Sequence, residues 1–143
     1  MEERLIKVGI THGDINGIGY EVILKTFSDA RVAELCTPVI YGSSKIAAYH
    51  RKALELPPVN MNIISQAEDA GINRVNIINC VDDETKVELS QSTSIAGEAA
   101  FLALEAAVTD LKRGAVDVLL TAPINKHNIQ NDQFHFPGHT EYL

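Results

Sequence analysis

The segment from Ile95 to Thr121 constrains the fold more than any other part of the chain. Ile95, Ala99, Leu102, Ala106 and residues 108–111 fit one apolar helical stripe, and the alanines between them favour helix throughout. Lys112 and Arg113 suit the negative end of a helix dipole, and Gly114 suits the stop. Val116-Asp117-Val118-Leu119-Leu120-Thr121 follows at once. A run so nearly continuous in apolar residues predicts a buried strand of the parallel kind, covered by helices on both faces.

The same alternation recurs upstream. Residues 5–10 are a short β-rich run, followed by a turn over residues 11–17 and a helix over 18–27. Pro38-Val39-Ile40-Tyr41-Gly42 predicts a second buried strand, with Ser43 or Ser44 capping a helix that ends near Leu54. Pro57-Pro58 closes that unit, and residues 62–64 and 74–80 predict two further strands. Residues 82–94 are polar and predict an excursion without regular structure. Strands alternating with helices give an α/β layered sheet. Nothing marks an internal boundary, repeat or linker, so residues 1–143 are expected to be one partial α/β domain.

Composition narrows the function classes. The chain has 143 residues, 45% of them hydrophobic and 22% charged, which is ordinary for a water-soluble globular domain. No apolar run nears the roughly 18 residues of a membrane span, so no membrane partner is expected. Met1-Glu2-Glu3-Arg4 leads directly into the first strand without the pattern of a signal peptide, and a cytoplasmic location is the expectation. The net charge of −7, with no Lys/Arg cluster, disfavours nucleic acid as a partner. Cys36 and Cys80 stand in no metal or redox spacing and read as two reduced, buried thiols.

Three segments carry the chemistry. Gly13-Asp14-Ile15-Asn16-Gly17-Ile18-Gly19 lies on a strand-to-helix turn, where glycines let backbone N–H groups approach a ligand with a helix dipole behind them. Its spacing is neither G-x-G-x-x-G nor G-x-x-x-x-G-K-[ST], so neither a dinucleotide fingerprint nor a P-loop is licensed. Asp14 can accept a hydrogen bond from a hydroxyl, and His12 beside it is either an ordinary polar histidine, as His50 is, or a residue lining the pocket. Thr121-Ala122-Pro123-Ile124-Asn125-Lys126 ends the last strand; Asn125 can cap a short helix through Ile129, and Lys126 can hold an anion as a point charge. Phe136-Pro137-Gly138-His139-Thr140-Glu141 offers an imidazole, a hydroxyl and a carboxylate in sequence. A metal site from His127, His135 and His139 is disfavoured, because Pro137-Gly138 breaks helical geometry between the last two. The concentration of such groups in the final ten residues, just after a strand, is what the front part of a longer enzyme looks like.

Together the three segments resemble the 4-hydroxythreonine-4-phosphate dehydrogenases of pyridoxal phosphate biosynthesis. Residues 11–21, Thr-His-Gly-Asp-Ile-Asn-Gly-Ile-Gly-Tyr-Glu, are similar to that family's opening I-T-x-G-D-P-x-G-I-G-P-E. Residues 120–126 are similar to its middle motif, and residues 136–143 to its G-H-T-E substrate motif. Ile15 and Tyr20 stand where the family typically has prolines, which predicts a looser turn with no chemical group lost. The resemblance implies an isocitrate/isopropylmalate dehydrogenase-like α/β fold, of which this is the N-terminal part, and a cytoplasmic homodimer. It implies oxidation of the secondary alcohol of 4-phospho-hydroxythreonine by NAD or NADP, then decarboxylation of the β-keto acid. A divalent metal (Zn, Mg or Co) that polarises the alcohol oxygen is implied as well, with ligands beyond residue 143 and none within the chain. His139 and Thr140 are implied as substrate contacts; Asp14, Lys126 and His12 are weaker pocket candidates, on their placement at strand ends and beside the glycine turn alone. The family is more than twice as long as this chain, so the 143 residues alone are expected to be inactive.

Three alternatives stand beside that reading. A paralogous dehydrogenase of phosphorylated four-carbon sugar acids would carry the same motifs. A truncated chain that binds or dimerises without chemistry is the second, and a phosphate acyltransferase on a related fold, needing neither nicotinamide nor metal, is the third.

Overall fold

The computed structural model describes residues 5–125, 128 and 129. Five parallel strands form one sheet in the order β3-β4-β2-β1-β5, where β1 is Lys7–Thr11, β2 Thr37–Gly42, β3 Met61–Ile64, β4 Val75–Asn79 and β5 Val118–Thr121. The helices are α1 (Gly19–Phe27), α2 (Val32–Leu35), α3 (Ser44–Ala53) and α4 (Ser94–Lys112), with a short 3-10 turn at Ala67–Asp69. Ser43 caps α3 by accepting from the Ile46 N–H at 3.2 Å, and Thr93 caps α4 in the same way from Ala96 at 3.1 Å. The excursion over residues 82–93 contains turns but no helix or strand.

The period-two alternation of the strands separates two cores. Ile10, Ile40 and Ile77 pack with Ile23 and Phe27 of α1 and Ala33 of α2 on one face. Val39, Tyr41 and Val116 pack with Ala103 and Ala107 of α4 on the other. α4 lies close because its buried side is built from alanines, and β2, buried along its whole length, runs between the two layers. Cys36 and Cys80 are half-buried free thiols rather than fully buried ones, and desolvation pushes Cys80 up to about 12.

The last strand departs from expectation. β5 begins at Val118, while Val116 is buried just before it and Asp117 accepts from the Lys7 backbone N–H at 2.9 Å. The run is apolar, but β5 sits at the edge of the described sheet and pairs only with β1. Val118 and Leu120 are 45% and 60% exposed, because α1 covers their register partners Val8 and Ile10 but does not extend over the edge.

Candidate active site at the carboxyl edge of the sheet

The chain leaves β1 towards β2 on one side and, through α4, enters β5 on the other. The connection after β1 runs into α1 on one face. The connection after β5 turns over α4 on the opposite face, where Ile129 packs on Ala100, Phe101 and Leu104. Connections that diverge in this way make a topological switch point between two adjacent strands, and open α/β sheets bind ligands in the crevice at the carboxyl ends of such strands.

Two of the three sequence segments meet at this crevice. Gly13 has a φ of +66°, and a Cβ there would lie 2.3 Å from the Pro123 carbonyl oxygen, so only glycine fits. The Asp14 N–H donates to that carbonyl at 2.8 Å, joining the glycine turn to the exit of β5. Asp14 itself is half-buried, and its Oδ1 accepts from the Asn16 N–H at 3.0 Å. Asn125 Oδ1 accepts from the Asn128 N–H at 3.2 Å, and the Ile129 N–H reaches the Asn125 carbonyl at 3.3 Å, the bonding of one helical turn. That turn sits directly on α4, where any Cβ at Gly97 would fall within 2 Å of the Asn128 carbonyl oxygen. The Thr11 hydroxyl at the end of β1 is buried without a hydrogen-bond partner among the described residues.

His12 does not line the crevice. It is fully buried behind the turn, with both ring nitrogens engaged. The Ala99 carbonyl can only accept, so the 2.8 Å contact places the proton on Nε2 and leaves Nδ1 to accept from the Tyr20 hydroxyl at 2.7 Å. The Ser43 N–H donates to the Tyr20 oxygen at 2.9 Å, and the 3.4 Å approach of that hydroxyl to the Ser43 carbonyl carries no proton. Desolvation, only partly offset by the Ala99 bond, lowers His12 to about 4, so it is neutral at physiological pH. Burial likewise raises the Tyr20 phenol far above its usual range. His50, expected to be an ordinary polar histidine, is also buried; it donates from Nε2 to the Ile15 carbonyl at 2.7 Å and is lowered chiefly by desolvation. Ile15 and Tyr20 therefore do not leave the turn slack: both are wholly buried and packed with Leu24, Ile46 and Ala47.

Asn16 carries no sign in its local sequence, yet it organises the other wall. Its Oδ1 accepts from the Glu88 N–H at 2.7 Å, and its Nδ2 donates to the Gln91 carbonyl at 3.0 Å and to Thr93 Oγ1 at 3.2 Å. Its carbonyl accepts from the Ser90 N–H at 2.9 Å, so the polar excursion is clamped onto the glycine turn at the start of α4.

Lys126, His127, His135, His139, Thr140 and Glu141 lie outside the described residues. Among the described residues, no group of three or more His, Cys, Asp and Glu side chains lies close enough to hold a metal ion. No helix among them is long and apolar enough to cross a membrane.

The family description "Pyridoxal phosphate biosynthetic protein PdxA" matches residues 34–143. The chain belongs to this family. The 4-hydroxythreonine-4-phosphate dehydrogenase of Bacteroides thetaiotaomicron is 59% identical over 143 residues, 100% of this chain and 39% of that protein. The D-threonate 4-phosphate dehydrogenase of Cupriavidus necator is 32% identical over 146 residues, covering 100% of this chain and 43% of its own length. Among solved structures, a 4-hydroxythreonine-4-phosphate dehydrogenase from Burkholderia phymatum superposes with a TM-score of 0.84 at 29% identity, over 97% of this chain and 42% of that one. This PdxA-family chain thus has the α/β fold of the dehydrogenases, in its isocitrate dehydrogenase-like form, and spans about two-fifths of the length of the relatives it matches.

Proposed function

We propose that the chain forms the N-terminal part of an NAD(P)- and divalent-metal-dependent dehydrogenase. That enzyme oxidises 4-phospho-hydroxythreonine and releases an aminoketone phosphate after decarboxylation, on the route to pyridoxal 5'-phosphate. The observation that carries this reading is the 59% identity, over every residue, to a relative bearing that name, against 32% to a D-threonate 4-phosphate dehydrogenase. The meeting of two motif segments at the switch point supports the same assignment physically.

The chain's own contribution is substrate positioning. The glycine turn and residues 121–125 adjoin at the carboxyl edge of the sheet, and Asp14 is the proposed acceptor of a hydrogen bond from a substrate hydroxyl. Lys126 adds a cation for the phosphate or carboxylate, and His139 and Thr140 add further substrate contacts. Neither cofactor fits the described residues. The Asp14 amide is used on Pro123, and its carboxylate lies beside Gly17, within 3.2 Å of where a Cβ would stand, which is a poor cradle for a pyrophosphate. For the metal, no ligand cluster is found among the described residues. On the family resemblance, the nicotinamide and the metal are assigned to parts of the enzyme beyond residue 143, and no step is routed through them. A cytoplasmic homodimer completes the reading.

The test joins these 143 residues to the downstream part of the Bacteroides thetaiotaomicron relative and follows NAD+ reduction. Turnover of 4-phospho-hydroxythreonine in preference to D-threonate 4-phosphate is expected, with none from the isolated chain even when metal is supplied. A reversed preference would move the assignment to the sugar-acid paralogue. Turnover by the isolated chain would overturn it.

A further inference from the structure

We propose that His12 and Tyr20 are positioning residues that set the Gly13–Gly19 turn, and through it residues 121–125, for ligand binding; as to the ligand, this rests on the functional reading above. The turn is gripped at three points, by α4, by α3 and by the junction of β2 and α3. At its start, His12 is tied to α4 through the Ala99 carbonyl. In its middle, the Ile15 carbonyl takes the His50 Nε2–H of α3. At its end, the Tyr20 hydroxyl takes the Ser43 N–H from the junction of β2 and α3 and donates to His12. The rings reinforce these bonds: Tyr20 meets His12 edge-on at 5.4 Å and 77°, and stacks on His50 at 5.4 Å and 18°.

Every group in this bridge is uncharged and buried, so each hydrogen bond has a single arrangement in which donors and acceptors match. An aliphatic core would hold α1 just as close but would leave the turn free to rotate about its ends. A satisfied polar network fixes orientation as well as distance. Because the Asp14 N–H is bonded to Pro123, the orientation of the turn is passed directly to the exit of β5. No atom of the bridge faces the crevice, so its influence on a ligand is exerted through Gly13 and Asp14.

Tyr20→Phe keeps the stacked ring and removes only the hydroxyl. In the 143-residue chain, amide exchange at Asp14 is expected to quicken about tenfold while Ile40 and Ile77 in the sheet centre keep their rates, the pattern of a local rather than global opening. Uniform acceleration at all three amides, or an unchanged Asp14, would overturn the proposal. In the joined enzyme described above, the same variant should raise KM for the phosphorylated amino acid about tenfold with kcat held within about twofold, because the turn binds ground and transition state alike. A fall in kcat at constant KM would overturn it too. If the unsubstituted joined protein reduces no NAD+, the functional reading fails, and the exchange rates still decide whether the bridge positions the turn.

Discussion

The two ends of the sheet are held by opposite kinds of chemistry. At the carboxyl end, His12, Tyr20, His50 and Asn16 form buried, neutral hydrogen bonds around the glycine turn. At the end where α4 finishes, Arg113 reaches Glu68 and Asp110 through ion pairs, with Arg113 and Glu68 45% and 47% exposed, and Tyr41 donates to Asp110 at 2.6 Å. Exposed pairs contribute little and tolerate rearrangement. Buried neutral networks are costly to break from one side and admit one geometry. The end that needs a fixed geometry is the end with the crevice.

That contrast can be broken most severely at Gly13. Gly13→Ala places a Cβ against the Pro123 carbonyl in left-handed backbone, and a loss of about 3 kcal/mol is expected in urea unfolding. Acid should act on the same end with comparable force. The folded chain holds His12 neutral down to about pH 4, whereas an unfolded histidine takes its proton near 6.5. Stability from this group is therefore complete above about pH 6.5, declines as pH falls through that window and levels off below about 4. The total loss is on the order of 3 kcal/mol, with buried His50 adding in the same direction. Unfolding midpoints at pH 7.5, 6 and 5 should fall along this course in the wild type and more shallowly in His12→Gln; parallel profiles would count against the neutral bridge.

A smaller effect is expected at Asn16. Asn16→Ala strips three side-chain bonds from the excursion and should lower stability by about 2 kcal/mol with an unchanged urea slope. Smallest of all, Arg113→Ala at the opposite end should move the melting temperature by no more than roughly 2 °C, a shift that 1 M salt in the wild type should reproduce in part. An Arg113→Ala effect larger than that of Asn16→Ala would invert the comparison.

Much of this arrangement is readable from the sequence, because its strands and long helices have strong periodic patterns. The strand at β2, the cap at Ser43 and the helix ending at Lys112 follow from local residues. α2, with four residues, and the three-residue 3-10 turn are too short to display a period. The exposure of Val118 and Leu120 depends on which strands lie beside β5, and an apolar run does not record that. The site divides in the same way. Glycines announce the turn, but Asn16 finds its partners 72 to 77 residues away and His12 finds Ala99 87 residues away. Only the fold turns those two polar residues, one of them a histidine that reads either as ordinary or as lining the pocket, into supports of the glycine turn.

Whether these residues are the front part of a PdxA-family dehydrogenase is decided by reading the source gene past codon 143 and weighing the native protein intact. A frame that continues with well-separated histidines is expected, with a native mass well above the 15.6 kDa of this chain. A stop after Leu143 with a native protein of 15.6 kDa would contradict it, and the crevice would then have to serve binding or assembly without turnover.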